Sequence, residues 1–215
     1  MAGRIDRMKS SLFLLAFLVS TLASADWTKI ESSAFPLPPP PKAGSAAEKQ
    51  EYRILHEYQE SRTQAQCDLA NEQALPSFGA FFGTAWGGLS KKEVETSEKK
   101  ISKAMKFAER VSGYWKAKYK RVRPYNVDET LTPCVDEIPG GNKAYPSSHA
   151  TMAAIGACLL AHKYPEKAEA LHERGKFLGD LRVIVGVHHP SDVAKGQELG
   201  KAICERLLEE SDFDL

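Results

Sequence analysis

The sequence predicts an all-α fold, a single-domain helical bundle, and three observations lead there. No block alternates apolar and polar residues with period two for long enough to demand a sheet. Apolar residues instead recur at helical spacing between charged ones in several separate stretches. The chain has 215 residues, and the 190 from position 26 onward suit one domain with a sizeable core.

Residues 1–25 read as a cleaved export signal. Arg4, Arg7 and Lys9 precede the apolar run 11–22, and Ala23-Ser24-Ala25 offers small residues for cleavage. A run of about a dozen residues is too short for a spanning helix, which needs roughly twenty. The expected destination is periplasmic or secreted. Loss of Arg4, Arg7, Lys9 and Asp6 takes the formal charge from +1 to −1. That balance gives no bulk basicity for nucleic acid or membrane surfaces, and no later stretch is apolar enough for stable membrane insertion.

Residues 26–47 are expected to form an extended Pro-rich arm, because Pro36 and Pro38 to Pro41 cannot join a helix. The helical domain is expected over 48–215. Its first helix should run over 48–74, where Tyr52, Leu55, Tyr58, Ala65 and Leu69 recur near helical spacing. The glycines and aromatics of 76–89 predict a tight packing corner between helices. A charged helix over 91–119 follows, with Pro124 as its breaker. Turn-rich residues 125–145 are long for a connection and are expected to wall a site. Three helices close the chain. The small, apolar 149–163 suits a central position; 166–187 should turn Leu171, Phe177, Leu178 and Leu181 inward; 190–208 has Pro190 at its first turn.

Three separated groups of residues carry the chemistry. In the first, Lys116 is followed, after six intervening residues, by Arg123-Pro124; the second is Pro146-Ser147-Ser148-His149; the third combines Arg182, His188 and Asp192. Neutral His188 suits a nucleophile if Asp192 holds its far nitrogen as a donor. Arg123 and Arg182 can each grip two oxygens of an anion through a planar fork, and Lys116 adds a point charge. Ser147, Ser148 and nearby amides open a helix whose positive end faces the same anion. His149 stands where it could protonate a leaving oxygen and later activate water. A phosphate monoester, with close to two negative charges, is the ligand these groups suit.

In order and spacing the three groups resemble the signature shared by the type 2 phosphatidic acid phosphatase superfamily and the vanadium haloperoxidases. Within it, the run 171–179, His188-His-Pro-Ser-Asp192-Val and the Pro-rich arm are most similar to the class A bacterial non-specific acid phosphatases. That resemblance implies a helical domain with the arm lying against it and broad, metal-independent phosphomonoester hydrolysis through a phosphohistidine. It also implies a homo-oligomer without cofactor, acting on small-molecule substrates. The resemblance makes His188, His149 and Asp192 catalytic, with Lys116, Arg123, Ser147, Ser148 and Arg182 on the phosphate. Three positions depart from the family pattern: Ser148 stands for glycine, Ala150 for threonine, and Leu181 for the serine before Arg182. Alternatives are a haloperoxidase holding vanadate through His188, a phosphatase acting on lipid phosphates or diphosphates, and a non-catalytic anion-binding module.

His56, His162 and His172 lack a partner pattern and are assigned to surface or packing. His189 could serve His188 as a supporting donor, or join it and Asp192 as a metal site; three nearby cations crowd that second role. In the basic cluster around Lys116, only Lys116 and Arg123 carry the motif spacing, which leaves Lys118, Lys120 and Arg121 as surface. Four cysteines allow three pairings. Cys134, in a loop, is the first candidate for a bridge, while Cys158 and Cys204 sit in apolar helical contexts where free buried thiols are equally reasonable.

Overall fold

Side-chain caps set most of the helix starts. The computed structural model describes residues 26–83, 89–136, 141–210, 213 and 215, so the expected export signal lies outside the described residues. Seven α-helices follow in order: α1 (Ala46–Ser61), α2 (Gln64–Glu72), α3 (Phe78–Phe82), α4 (Lys91–Tyr119), α5 (Ser148–Lys163), α6 (Ala168–Ile184) and α7 (Pro190–Leu208). Among the described residues there is no strand, only an isolated bridge between Val122 and Lys143. Ser90 and Glu93 form a reciprocal cap that starts α4, and Ser45, Ser77 and Ser147 cap α1, α3 and α5.

Central α5 lies against α4, α6 and α7, and is buried almost throughout. Its alanines and glycine allow that three-sided packing. Small residues on α7 complete the fit: a methyl group on Gly196 would stand 2.6 Å from the Ser147 carbonyl oxygen, and one on Gly200 would stand 2.4 Å from that of Thr151. The arm is strapped to this bundle. Trp27, Phe35 and Leu37 are buried; the Trp115 indole donates to the Phe35 carbonyl (2.9 Å) and the Tyr145 hydroxyl to that of Pro38 (2.6 Å).

Several expectations change. The helix expected over 48–74 is two helices, because Arg62 is extended (ψ 144°) and Thr63 caps α2 reciprocally with Gln66. The first begins at Ala46 rather than 48, and the arm contains two short 3-10 turns. Pro124 does not break α4, which ends five residues earlier where Lys120 turns left-handed (φ 50°). Phe177 is not inward, being 37% exposed. Of the expected corner at 76–89, α3 is seen and residues 84–88 lie outside the described residues.

Both disulfides tie the site's supports together. Cys67–Cys134 joins α2 to the long connection, and Cys158–Cys204 joins α5 to α7, which resolves the pairing left open by sequence. Replacing Cys158 and Cys204 with alanine is expected to lower stability by about 4 kcal/mol, the chain-entropy value for a loop of this span. The loss should appear as a fall in urea midpoint, with a somewhat steeper slope as the unlinked denatured chain exposes more surface.

Candidate active site

At one end of the bundle, a cavity of about 450 Å³ opens where the three signature groups meet. One wall belongs to α4, with Glu109, Gly113 and Lys116; Arg123 follows just beyond its end. Ser148 and His149 come from the first turn of α5, Arg182 from α6, and His188 from the turn leading to α7. Residues 74–76 form the remaining lip, with Leu75 67% exposed. The connection 125–145, expected to form the wall, supplies no described lining residue. Its carbonyls hold the cations instead: Gly141 accepts from Arg123 Nε (2.8 Å), and Lys143 and Ala144 accept from Lys116 Nζ (2.8 and 3.2 Å).

His188 is placed by a tight turn. Gly186 adopts φ +83°, a conformation that side chains rarely tolerate, and the amides of Val187 and His188 both return to the Arg182 carbonyl (3.1 and 3.2 Å). This folds His188 back beside the arginine six residues earlier. Its Nε2 lies 3.2 Å from Arg123 Nη1. A guanidinium can only donate, so Nε2 must carry the lone pair and Nδ1 the proton. Nδ1 faces Asp192 Oδ2 at 3.5 Å, too far for a hydrogen bond, and has no hydrogen-bond partner among the described residues.

Asp192 is fully buried, and His189 holds it more closely than His188 does. The His189 amide and Nδ1 reach Oδ2 at 2.8 and 2.9 Å, while Arg121 Nη1 reaches Oδ1 at 2.7 Å. Arg121, expected at the surface, is instead buried, its side chain 8% exposed. Among the described residues no three potential metal ligands are grouped so that they could hold an ion. Ser147 does not line the cavity. Its hydroxyl caps α5 by accepting from the Ala150 amide (3.3 Å), and its own amide donates to the Asp192 carbonyl (2.8 Å), so it fastens α5 to α7 rather than facing an anion. Ser148 does face the cavity, its hydroxyl 2.7 Å from that of Ser112.

Residues 102–205, which contain all of these groups, match the family model described as the PAP2 superfamily. The chain carries a PAP2 superfamily domain. It is 30% identical over 168 residues to a non-specific acid phosphatase of Providencia stuartii, an alignment covering 73% of this chain and 66% of that protein. A bacterial vanadium-dependent iodoperoxidase superposes with a TM-score of 0.65 at 16% identity, covering 86% of this chain and 56% of that one. A transmembrane PAP2-type phosphatidylglycerolphosphate phosphatase from Bacillus subtilis superposes with a TM-score of 0.56 at 17% identity, covering 84% and 90%. The two structures establish the fold. In this PAP2 domain, no described helix is long and apolar enough to cross a membrane.

Burial dominates the electrostatics of the PAP2 site. It pushes the His149 imidazole well below its ordinary value, with Arg182 and His188 adding to the effect, and pushes His188 down likewise, helped by Arg123 and opposed by Asp192. Burial and Arg123 bring Lys116 down to about 7 and Arg182 to about 10. Burial would raise Asp192, yet His188, His189 and Arg121 outweigh it and hold the carboxyl well below its usual range. The site therefore pairs a neutral, lone-pair-bearing His188 with cations that burial and mutual repulsion disfavour. Arg182 Nε has no hydrogen-bond partner among the described residues, and His149 rests against the Phe81 ring at 4.6 Å.

Proposed function

We propose that this protein is an exported phosphatase hydrolysing small phosphate monoesters, without metal, through a phosphohistidine on His188. The observation that carries this reading is His188 Nε2, unprotonated and 3.2 Å from Arg123 Nη1 at the wall of a cavity also lined by Arg182, Lys116 and His149. The two disulfides support export, since such bonds persist in oxidising compartments; cleavage after residue 25 belongs to the same proposal.

In the proposed reaction, Arg123, Arg182, Lys116, Ser148 and the first amides of α5 bind the phosphoryl oxygens. The Nε2 lone pair forms a bond to phosphorus as the bond to the ester oxygen breaks, and His149 gives that oxygen its proton. Asp192 stabilises the positive imidazole ring. Water then attacks phosphorus in line, loses a proton to His149, and releases phosphate with Nε2 free again. Vanadate, which adopts the five-coordinate geometry of the transfer, is expected to inhibit strongly.

Burial holds both imidazoles neutral before substrate binds, so the proton needed by the leaving oxygen must arrive with the substrate. A monoanionic monoester with neutral His149 has the same proton count as a dianion with the imidazolium. The value of kcat/KM should therefore decline above the ester's second pKa, about 6, and more steeply above the Lys116 value of about 7. On the acid side it should decline only well below 6.5, as His188 protonates. Hydrolysis of alkyl and aryl monoesters across pH, with chelator present, checks this. An alkaline limb that follows the ester's own pKa is expected; no hydrolysis, or dependence on added metal, would count against the reading.

A further inference from the structure

The carboxylate of Asp192 is gripped by Arg121, and Arg121 is in turn gripped from outside the segment that matches the PAP2 family. Glu51, on α1, is 6% exposed and far from solvent for a carboxylate. Its Oε2 accepts from Arg121 Nη2 at 2.6 Å, and its Oε1 accepts from the Ser191 amide at 2.8 Å. Arg121 Nη1 closes the circuit, donating to the Ser191 hydroxyl (2.8 Å) and to Asp192 Oδ1 (2.7 Å). Three residues, Glu51, Arg121 and Ser191, thus fix the Asp192 carboxylate at the first turn of α7.

We propose that Glu51 and Arg121 are positioning residues for His188, acting through Asp192, so that α1 completes the site held by residues 102–205. The proposal rests on the phosphohistidine reading. Its physical basis is the shape of the circuit. A lone Arg121 could swing its fork, but a guanidinium held on Nη2 by Glu51 presents Nη1 in one direction only. Asp192 Oδ1 is then fixed, and rotation of the carboxylate about its last bond is blocked. Oδ2 must stay where the His189 amide and Nδ1 also hold it, in front of His188 Nδ1. That arrangement keeps the nucleophilic lone pair on Nε2, facing the cavity.

A buried network of this kind also stabilises the fold, so the test must separate position from stability. Glu51→Gln keeps the volume and removes one charge; Arg121→Met keeps the length and removes the fork. Both are expected to lower kcat on the order of 10- to 100-fold, as when an outer partner of a reactive group is lost, with KM changed less. The acid limb of kcat/KM should move in opposite directions. Losing the Arg121 charge leaves Asp192 freer to stabilise protonated His188, so the limb moves to higher pH. Losing the Glu51 charge leaves Arg121 uncompensated beside Asp192, so the limb moves lower. Arg123, Lys116 and His149, the other groups that face His188, are untouched in both variants.

The position of that limb does not depend on how much enzyme is folded, which protects the test from partial misfolding. Arg121→Lys, retaining charge without the fork, should keep the limb near wild type while kcat stays depressed. Limbs that coincide with wild type in Glu51→Gln and Arg121→Met, with activity falling only in proportion to folded protein, would make the circuit structural and overturn the proposal. Absence of turnover in the wild-type enzyme would instead overturn the phosphatase reading, and the proposal with it.

Discussion

Replacing His188 with alanine is expected to lower kcat by about five orders of magnitude or more, the scale on which a nucleophile acting as part of a unit is lost. The cavity and its cations would remain, so inorganic phosphate should still bind. His188 itself makes few contacts that the fold needs: its Nε2 meets a guanidinium and its Nδ1 reaches Asp192 only at 3.5 Å. Stability should therefore change little compared with the rate. Steady-state hydrolysis alongside phosphate binding by calorimetry separates the two. Retained turnover would remove His188 as the attacking group.

Replacing Arg182 with methionine is expected to produce the opposite pairing, an enzyme that is nearly inactive and more stable. Arg182 is 3% exposed, and burial together with the like charge of Arg123 brings its guanidinium down to about 10. Among the described residues its side chain has one acceptor, the Ala70 carbonyl at 3.5 Å, and its Nε is unmet. A cation held this way opposes folding and has value only when an anion arrives. Its loss should lower kcat/KM by about 10³-fold or more, as for removal of a positioned donor to a transferring phosphoryl group. The same change should raise folding stability by about 1–3 kcal/mol, the order set by its displaced pKa. Urea unfolding and kinetics on one preparation check both; lower stability would show that Arg182 is tied into the core by contacts other than these.

Much of the fold was legible because local chemistry sets it. Ser90 with Glu93, and Pro190 after an extended His189, mark helix starts that can be read without tertiary structure, and α4 and α7 have the expected bounds. The break between α1 and α2 was equally written, in Thr63 and Gln66, but the apolar repeat running across it masked the cap. Phe177 was misjudged for a different reason: helical spacing says which residues share a face, and α6 meets its neighbours along a face that leaves this ring at the edge.

At the site, motif spacing brought Lys116, Arg123, Ser148, His149, Arg182 and His188 to one cavity. It could not separate Ser147 from Ser148, adjacent hydroxyls of which one turns into the helix cap and the other into the cavity. Spacing did set Arg123 apart from Arg121, but it left Arg121 as surface, where the structure buries it against Asp192. Two residues apart beyond the end of α4, Arg121 meets Asp192 and Glu51, while Arg123 meets His188 and backbone carbonyls. Glu51 itself carries no motif. Only the packing of α1 beside α7 gives it a role, and that is a long-range fact which no local pattern states.

Quenching turnover of a radiolabelled phosphomonoester in alkali, then mapping the label on the protein, tests the nucleophile most directly. The expected result is an acid-labile, alkali-stable phosphoryl group on His188 that forms and decays fast enough to account for turnover. Undiminished hydrolysis with no phosphoenzyme, or label on a different residue, would contradict attack by His188.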